Sequence, residues 1–155
     1  MRTPIKHNKH LEPDVKYNDV EVSKLINYVM KNGEKSIATK LVYAAFDIIK
    51  EETKQDPMEV FKLAMANVEP ALEIKTQRIG GANYQIPFPV RPERKIALAF
   101  CWILEASRSK KGQPMAQKLA AEIIAASKEE GNAVRKKNDT QRMAEANRAF
   151  AHFAQ

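Results

Sequence analysis

Apolar residues recur along most of this chain at the spacing of an α-helix. Val22, Leu25, Ile26 and Val29 fall at i, i+3, i+4 and i+7, with Asn18 or Asp19 placed to cap and Gly33 to stop the helix. A second helix is predicted over Ser36–Glu52, with Ile37, Leu41, Ala45 and Ile48 on one stripe and Val42, Phe46 and Ile49 beside it. So broad an apolar face suits a central helix. The third opens at Asp56-Pro57-Met58-Glu59: Asp56 can cap, Pro57 suits a first turn that needs no N–H there, and Glu59 can reach back to the cap amide. It should end before Pro70.

Between Ala71 and Val90 the period drops to two, with Leu72, Ile74 and Thr76 alternating, then Tyr84, Ile86, Phe88 and Val90. Gly80-Gly81 separates the runs, which predicts a β-hairpin with its tip at about 79–83. Pro87 and Pro89 confine their strand to an edge, because proline cannot donate to a ladder. Two strands alone are marginal, so the hairpin should project as an arm braced at its base by helices.

Pro92-Glu93 begins a fourth helix in which Ile96, Phe100 and Ile103, with Ala97, Cys101 and Leu104, form the most apolar stretch, and Trp102 is expected to complete that core. Cys101 reads as a small buried hydrophobe. A fifth helix is expected over Pro114–Lys128 on Met115, Leu119, Ile123 and Ala126, and Gly131 breaks it. The sixth, Asn132 to about Phe150, is cationic, with only Val134, Met143, Ala146 and Phe150 as apolar marks, and should lie on a surface. The predicted fold is therefore mainly α: one six-helix domain over 18–155, with a hairpin between the third and fourth helices. Residues 1–17, with two prolines and no apolar period, are expected to form an extended arm.

Charge changes this picture because of where it lies. Residues 1–70 carry 11 Lys/Arg against 11 Asp/Glu, and residues 71–155 carry 15 against 8, so the second half holds the whole net charge of +7. The positives gather at Lys75, Arg78, Arg91, Arg94 and Lys95, at Arg108, Lys110 and Lys111, and at Arg135, Lys136, Lys137, Arg142 and Arg148. In the arm, Lys6, Lys9 and Lys16 are within reach of a phosphate. Any one cluster reads more readily as a solvated face or loop, but three in one half favour a polyanionic partner.

Catalytic groupings are missing where chemistry would need them. His7, His10 and His152 lie in the two tails, away from any nucleophile or orienting carboxylate. Gly80-Gly81 has neither a following helix nor a P-loop lysine, and no carboxylate spacing matches a metal loop. A lone cysteine can build no multi-cysteine metal site. The expectation is a non-enzyme with no metal, no cofactor and no small-molecule substrate. No stretch is apolar for the roughly 18 residues a membrane span needs, and the N-terminus lacks an apolar signal core, so an intracellular protein without a membrane partner is expected.

Three strings carry a resemblance: Arg78-Ile79-Gly80-Gly81-Ala82-Asn83-Tyr84-Gln85-Ile86-Pro87, Val90-Arg91-Pro92-Glu93-Arg94-Lys95, and the run from Asp139 to His152. On these the chain resembles the small-subunit ribosomal protein seven family of bacterial and organellar ribosomes, over about 13–152. The resemblance implies six helices with a protruding hairpin, as periodicity already predicts. It further implies binding to the 3′ major domain of small-subunit rRNA, nucleation of head assembly beside neighbouring head and platform proteins, and a hairpin directed at the exit-site tRNA and the mRNA exit. Some family members repress their own message. The implied location is the small subunit, in the cytoplasm or a plastid stroma.

Carried over by position, the implied rRNA surface includes Lys35 after the first helix, Arg78, Arg91, Arg94, Lys95 and the cations of the last helix. With the remaining clusters it comprises Lys6, Lys9, Lys35, Lys75, Arg78, Arg91, Arg94, Lys95, Arg108, Lys110, Lys111, Arg135, Lys136, Lys137, Arg142 and Arg148. The tRNA-facing tip comprises Arg78, Gly80, Gly81, Ala82, Asn83 and Tyr84. The chain has Glu34-Lys35 where the family often has a basic pair, and its arm is less arginine-rich, so the carry-over is weakest there. Arg142 and Arg148 have the bland alternative of pairing with Glu145, and Tyr84 and Phe88 that of packing within the hairpin. A minor-groove DNA bender is the rival class, but Lys75 and Arg78 against Glu73 leave 71–90 only one positive charge, too few for an arm along duplex DNA.

Overall fold

The computed structural model describes residues 11–153. Six α-helices, one two-stranded hairpin and a closing 3-10 turn follow in order: α1 (Val20–Val29), α2 (Lys35–Thr53), α3 (Pro57–Val68), β1 (Leu72–Ile79), β2 (Ala82–Pro89), α4 (Pro92–Ser109), α5 (Met115–Ser127), α6 (Asn132–Ala146) and η1 (Arg148–Phe153). The mainly α reading holds, and the hairpin lies between α3 and α4 as expected.

Local chemistry explains the boundaries. The Asp19 carboxylate accepts the Glu21 N–H at 2.7 Å to cap α1, and Asp56 accepts the Met58 N–H at 3.1 Å to cap α3, with Pro57 in the first turn. The expected return bond from the Asp56 amide to Glu59 does not form among the described residues. Arg78 pairs with Asn83 and Ile79 with Ala82, leaving Gly80-Gly81 as a two-residue turn with φ of +59° and +91°. Both positions need positive φ in such a turn, and glycine supplies it without a Cβ clash.

The core is built from the α1 stripe, Val42, Phe46 and Ile49 of α2, Phe61 and Met65 of α3, Phe100, Ile103 and Leu104 of α4, and Leu119 and Ile123 of α5. Phe46, Phe61 and Phe100 run through it with ring centroids 5.5 and 6.4 Å apart. Trp102 is buried as expected. Two core assignments are corrected. Ile37 stands 58% exposed, because α2 turns its Ala38-Val42-Ala45-Phe46-Ile49 face inward and leaves Leu41 and Ile48 only half-buried. Cys101 is exposed, in line with Glu105 and Arg108 on the outer face of α4 at i, i+4 and i+7.

Two further expectations change. The last α-helix ends at Ala146; Asn147 and η1 then turn the chain onto the hairpin, while Met143 and Ala146 face solvent. The hairpin is accordingly braced beyond its base. Ile86 is fully buried, Tyr84 packs on Phe150 and Phe153 at 5.3 and 5.9 Å, and Asn147 Nδ2 donates to Gln85 Oε1 at 3.4 Å. Only the strand ends around the turn reach clear of the body. Before α1, Asp14 is buried, accepting the Lys16 and Tyr17 N–H groups and the Tyr43 hydroxyl. The chain is thus tied to α2 from Asp14 onward.

Candidate nucleic-acid interface

Helix α4 joins two basic regions. Arg94 stands in its first turn and Arg108 in its last, about 21 Å apart along the axis at ~1.5 Å rise per residue. At the first end, Arg91 caps α4 without a side-chain bond, and Arg94 and Lys95 sit where the helix dipole disfavours cations. Glu73 of β1 offsets that cost: it receives Arg94 Nε at 3.3 Å and Lys75 Nζ at 3.1 Å. Burial pushes the Glu73 carboxyl up, but the hydrogen bonds and charges of Lys75 and Arg94 outweigh it and hold the group below its ordinary value. The carboxylate therefore stays ionised and keeps both cations oriented. Lys75 also lies 5.0 Å over the Phe88 ring. Together with Arg91 these side chains line an open groove of about 890 Å³ between hairpin base and helix start.

Lys95, one residue on, faces a different carboxyl. Burial and then the charge of Glu21 push Glu69 above its ordinary value, and the Lys95 ammonium opposes them. No carboxylate within ion-pair distance holds Lys95, Arg78 or Arg91 among the described residues. Arg78 is exposed beside the tip together with Gly80, Gly81, Ala82 and Asn83, whereas Tyr84 is half-buried against Phe150 and Phe153 of η1.

At the other end of α4, Arg108 and the α4–α5 loop meet the turn between α1 and α2. Lys35 opens α2 and is exposed, and Lys31, Arg108 and Lys111 are exposed too. Lys110 differs from its neighbours. Glu122 of α5 is fully buried; its Oε1 accepts the Ala133 N–H at 2.9 Å, and the Lys110 ammonium lies 2.7 Å from Oε2 as an ion pair outside hydrogen-bond alignment. One carboxylate thereby ties the α4–α5 loop to the first turn of α6, supplying the cap that Gly131 cannot. A Cβ on Gly131, whose φ is +95°, would meet Glu122 Oε1 at 2.8 Å.

Along α6 the same sorting applies. Lys137 Nζ donates to the Asn67 carbonyl at 2.8 Å, and the Asn67 amide donates to Ala126 O and Ser127 O at 3.0 and 3.1 Å, so Lys137 is part of the helix packing. Lys136 pairs loosely with Glu105 at 3.6 Å. Arg135, Arg142 and Arg148 are exposed and make no ion pair among the described residues, so the alternative of pairing with Glu145 does not form. Lys6 and Lys9 lie outside the described residues. Sequence reasoning passed over Glu122 and Asn67 and counted Glu73 only in the hairpin's charge balance, missing that these groups fix the cations; only the Glu73-x-Lys75 alternation, which puts both on one strand face, was a visible signal.

Among the described residues no three His, Cys, Asp or Glu gather as a metal site, and no helix is long and apolar enough to cross a membrane. Fold and surface thus define a basic helical protein with a hairpin arm, its charged groups arranged around open grooves. A family model described as ribosomal protein S7p/S5e matches residues 1–148. The small ribosomal subunit protein uS7 of Thermotoga maritima is 56% identical over 153 residues, covering 99% of each chain. The proteins of the same name from Caldanaerobacter subterraneus subsp. tengcongensis and Dechloromonas aromatica are 56% and 52% identical over 141 residues, 91% of this chain and 90% of theirs. The chain belongs to the ribosomal protein S7p/S5e family; it is a structural constituent of the small ribosomal subunit and not an enzyme.

Proposed function

We propose that this protein is a primary binder of the 3′ major domain of small-subunit rRNA that nucleates assembly of the head, with its hairpin tip beside the exit-site tRNA and the mRNA exit. The observation that carries this reading is the sorting of the cations. Among the described residues Arg78 and Arg91 are exposed and in no ion pair at the hairpin, with half-buried Lys95 beside them and exposed Arg142 on α6 likewise unpaired; Lys35, Arg108 and Lys111 are exposed and unpaired at the far end of α4, while Lys110 and Lys137 are engaged by the fold. Unpaired, exposed cations on a rigid body neutralise phosphates and release counterions, and their fixed spacing selects an RNA junction by shape. The tip carries no charge from Ile79 to Asn83, so it fits a contact made in passing with a tRNA or mRNA better than an anchor. Repression of the protein's own message would use the same surface on a similarly folded RNA.

The test is a comparison of affinities. The full chain should bind an rRNA fragment holding the multi-helix junction of the head far more tightly than duplex DNA of equal length at the same salt. Equal affinities would refute the reading.

A further inference from the structure

Beside the far end of α4 lies a cleft of about 310 Å³ whose walls are Val29, Ile37, Leu41 and Met115 and whose rim carries Lys31, Glu34 and Arg108. Its size falls in the range of about 300–1,000 Å³ usual for small-ligand sites. Ile37 is 58% exposed at its mouth although it sits on a helix whose other face supplies the core. An isoleucine so exposed leaves more than half of its surface in water; that apolar surface is available to an occupant. The rim decides what kind. Arg108 has no carboxylate within ion-pair distance among the described residues, Lys31 and Lys35 stand exposed on either side of the turn, and Glu34 is the one acidic group lining the cleft. An apolar floor ringed by free cations matches a ligand with a flat, weakly polar body and anionic flanks.

We propose that this cleft receives a single unstacked nucleobase of the bound rRNA, with the phosphates on either side of it held by Lys31, Lys35 and Arg108. The inference rests on the rRNA reading above and adds to it a site that reads one nucleotide. Sequence-specific RNA recognition acts on unpaired bases splayed into apolar pockets or onto arginine planes, and Arg108 supplies such a plane at the rim. Occupation buries Ile37, Leu41 and Met115, which the fold leaves partly in water.

Ile37→Ser is the chosen variant, since the residue is exposed and its loss leaves the packed core untouched; a thermal melt superimposable on wild type checks this. Binding of the full chain to the junction-bearing rRNA fragment should weaken about tenfold while the dependence of log affinity on log salt stays unchanged, because no phosphate contact is lost. Arg108→Ala should instead lower the salt slope by about one. In parallel, abasic nucleotides are introduced singly through the unpaired positions of the fragment. One position should weaken binding of wild type about tenfold and leave binding of Ile37→Ser unaffected. Wild-type preference for rRNA, together with an Ile37→Ser affinity equal to wild type and no abasic position of this kind, overturns the proposal and leaves the rRNA reading standing. So does an Ile37→Ser chain that binds RNA normally but no longer retains a neighbouring subunit protein, which would make the cleft a protein dock. Absence of any rRNA preference in wild type overturns both.

Discussion

The two ends of α4 present cations in different ways. At the hairpin end a carboxylate, Glu73, stands between Lys75 and Arg94 and holds both in the groove. At the loop end the comparable carboxylate, Glu122, is fully buried and engages Lys110, while Arg108 and Lys31 stand at the rim of an apolar cleft and Lys35 and Lys111 are exposed nearby, none of them in an ion pair among the described residues. One region is an ordered set of donors, suited to fixing register on a rigid backbone. The other is a loose cationic rim over an apolar floor. Equal runs of basic residues in a sequence thus become unequal surfaces, and the acidic partner decides which.

The sharpest break in this comparison separates adjacent lysines. Lys110→Ala should cost about 3 kcal/mol of stability, because it strips the counter-charge from a fully buried carboxylate. Lys111→Ala, on an exposed residue, should stay within about 0.5 kcal/mol. Urea unfolding of the two variants checks this, and equal losses would show that Lys110 does not hold the loop. At the hairpin end, Arg94→Glu with Lys95→Glu should weaken rRNA binding on the order of 100-fold and lower the salt slope by about two. Helicity by circular dichroism should persist, since the exposed Arg94–Glu73 pair contributes at most about 1 kcal/mol. Loss of helicity would make these residues structural.

A smaller effect is expected at the tip. The observed register allows the arm to be shortened only by an even step: replacing residues 79–82 by Asn-Gly keeps Arg78 opposite Asn83, whereas removing Asn83 as well would shift every pair by one and flip the strand faces. The register-preserving variant should change stability and rRNA affinity by less than about 1 kcal/mol, since a side chain at Gly80 or Gly81 would meet nothing, Ala82 is exposed and Ile79 is only half-buried. Ribosomes reconstituted with it should assemble their heads and show altered exit-site tRNA occupancy. Failed head assembly with normal exit-site behaviour would reverse the assignment of base and tip.

Much of this architecture was legible because it is local. Asp19, Asp56-Pro57 and Gly80-Gly81 act within a few residues of backbone, so their types announce caps and a turn. Ile37 was misplaced because α2 has apolar residues on two adjoining stripes, and only the packing of α5 and α1 chooses between them. Cys101 lies within one run with Phe100 and Trp102, where composition hides the period. The cation clusters were legible as clusters and illegible as individuals: whether Lys110, Lys136 or Lys137 is free depends on Glu122, Glu105 and Asn67, between 12 and 70 residues away in the chain. The end of α6 was missed because Asn147 caps it by bonding back to Met143 O, a bond the alanine-rich sequence conceals.

The most direct test of the account is whether both ends of α4 hold the RNA. The slope of log affinity against log salt is measured on the junction-bearing rRNA fragment for wild type, for Arg91→Ala with Lys95→Ala, for Lys35→Ala with Arg108→Ala, and for all four substitutions together. Each pair should lower the slope by about two and the four together by about four, because sites so far apart act independently. A slope that responds to one pair alone, or to neither, would contradict the account.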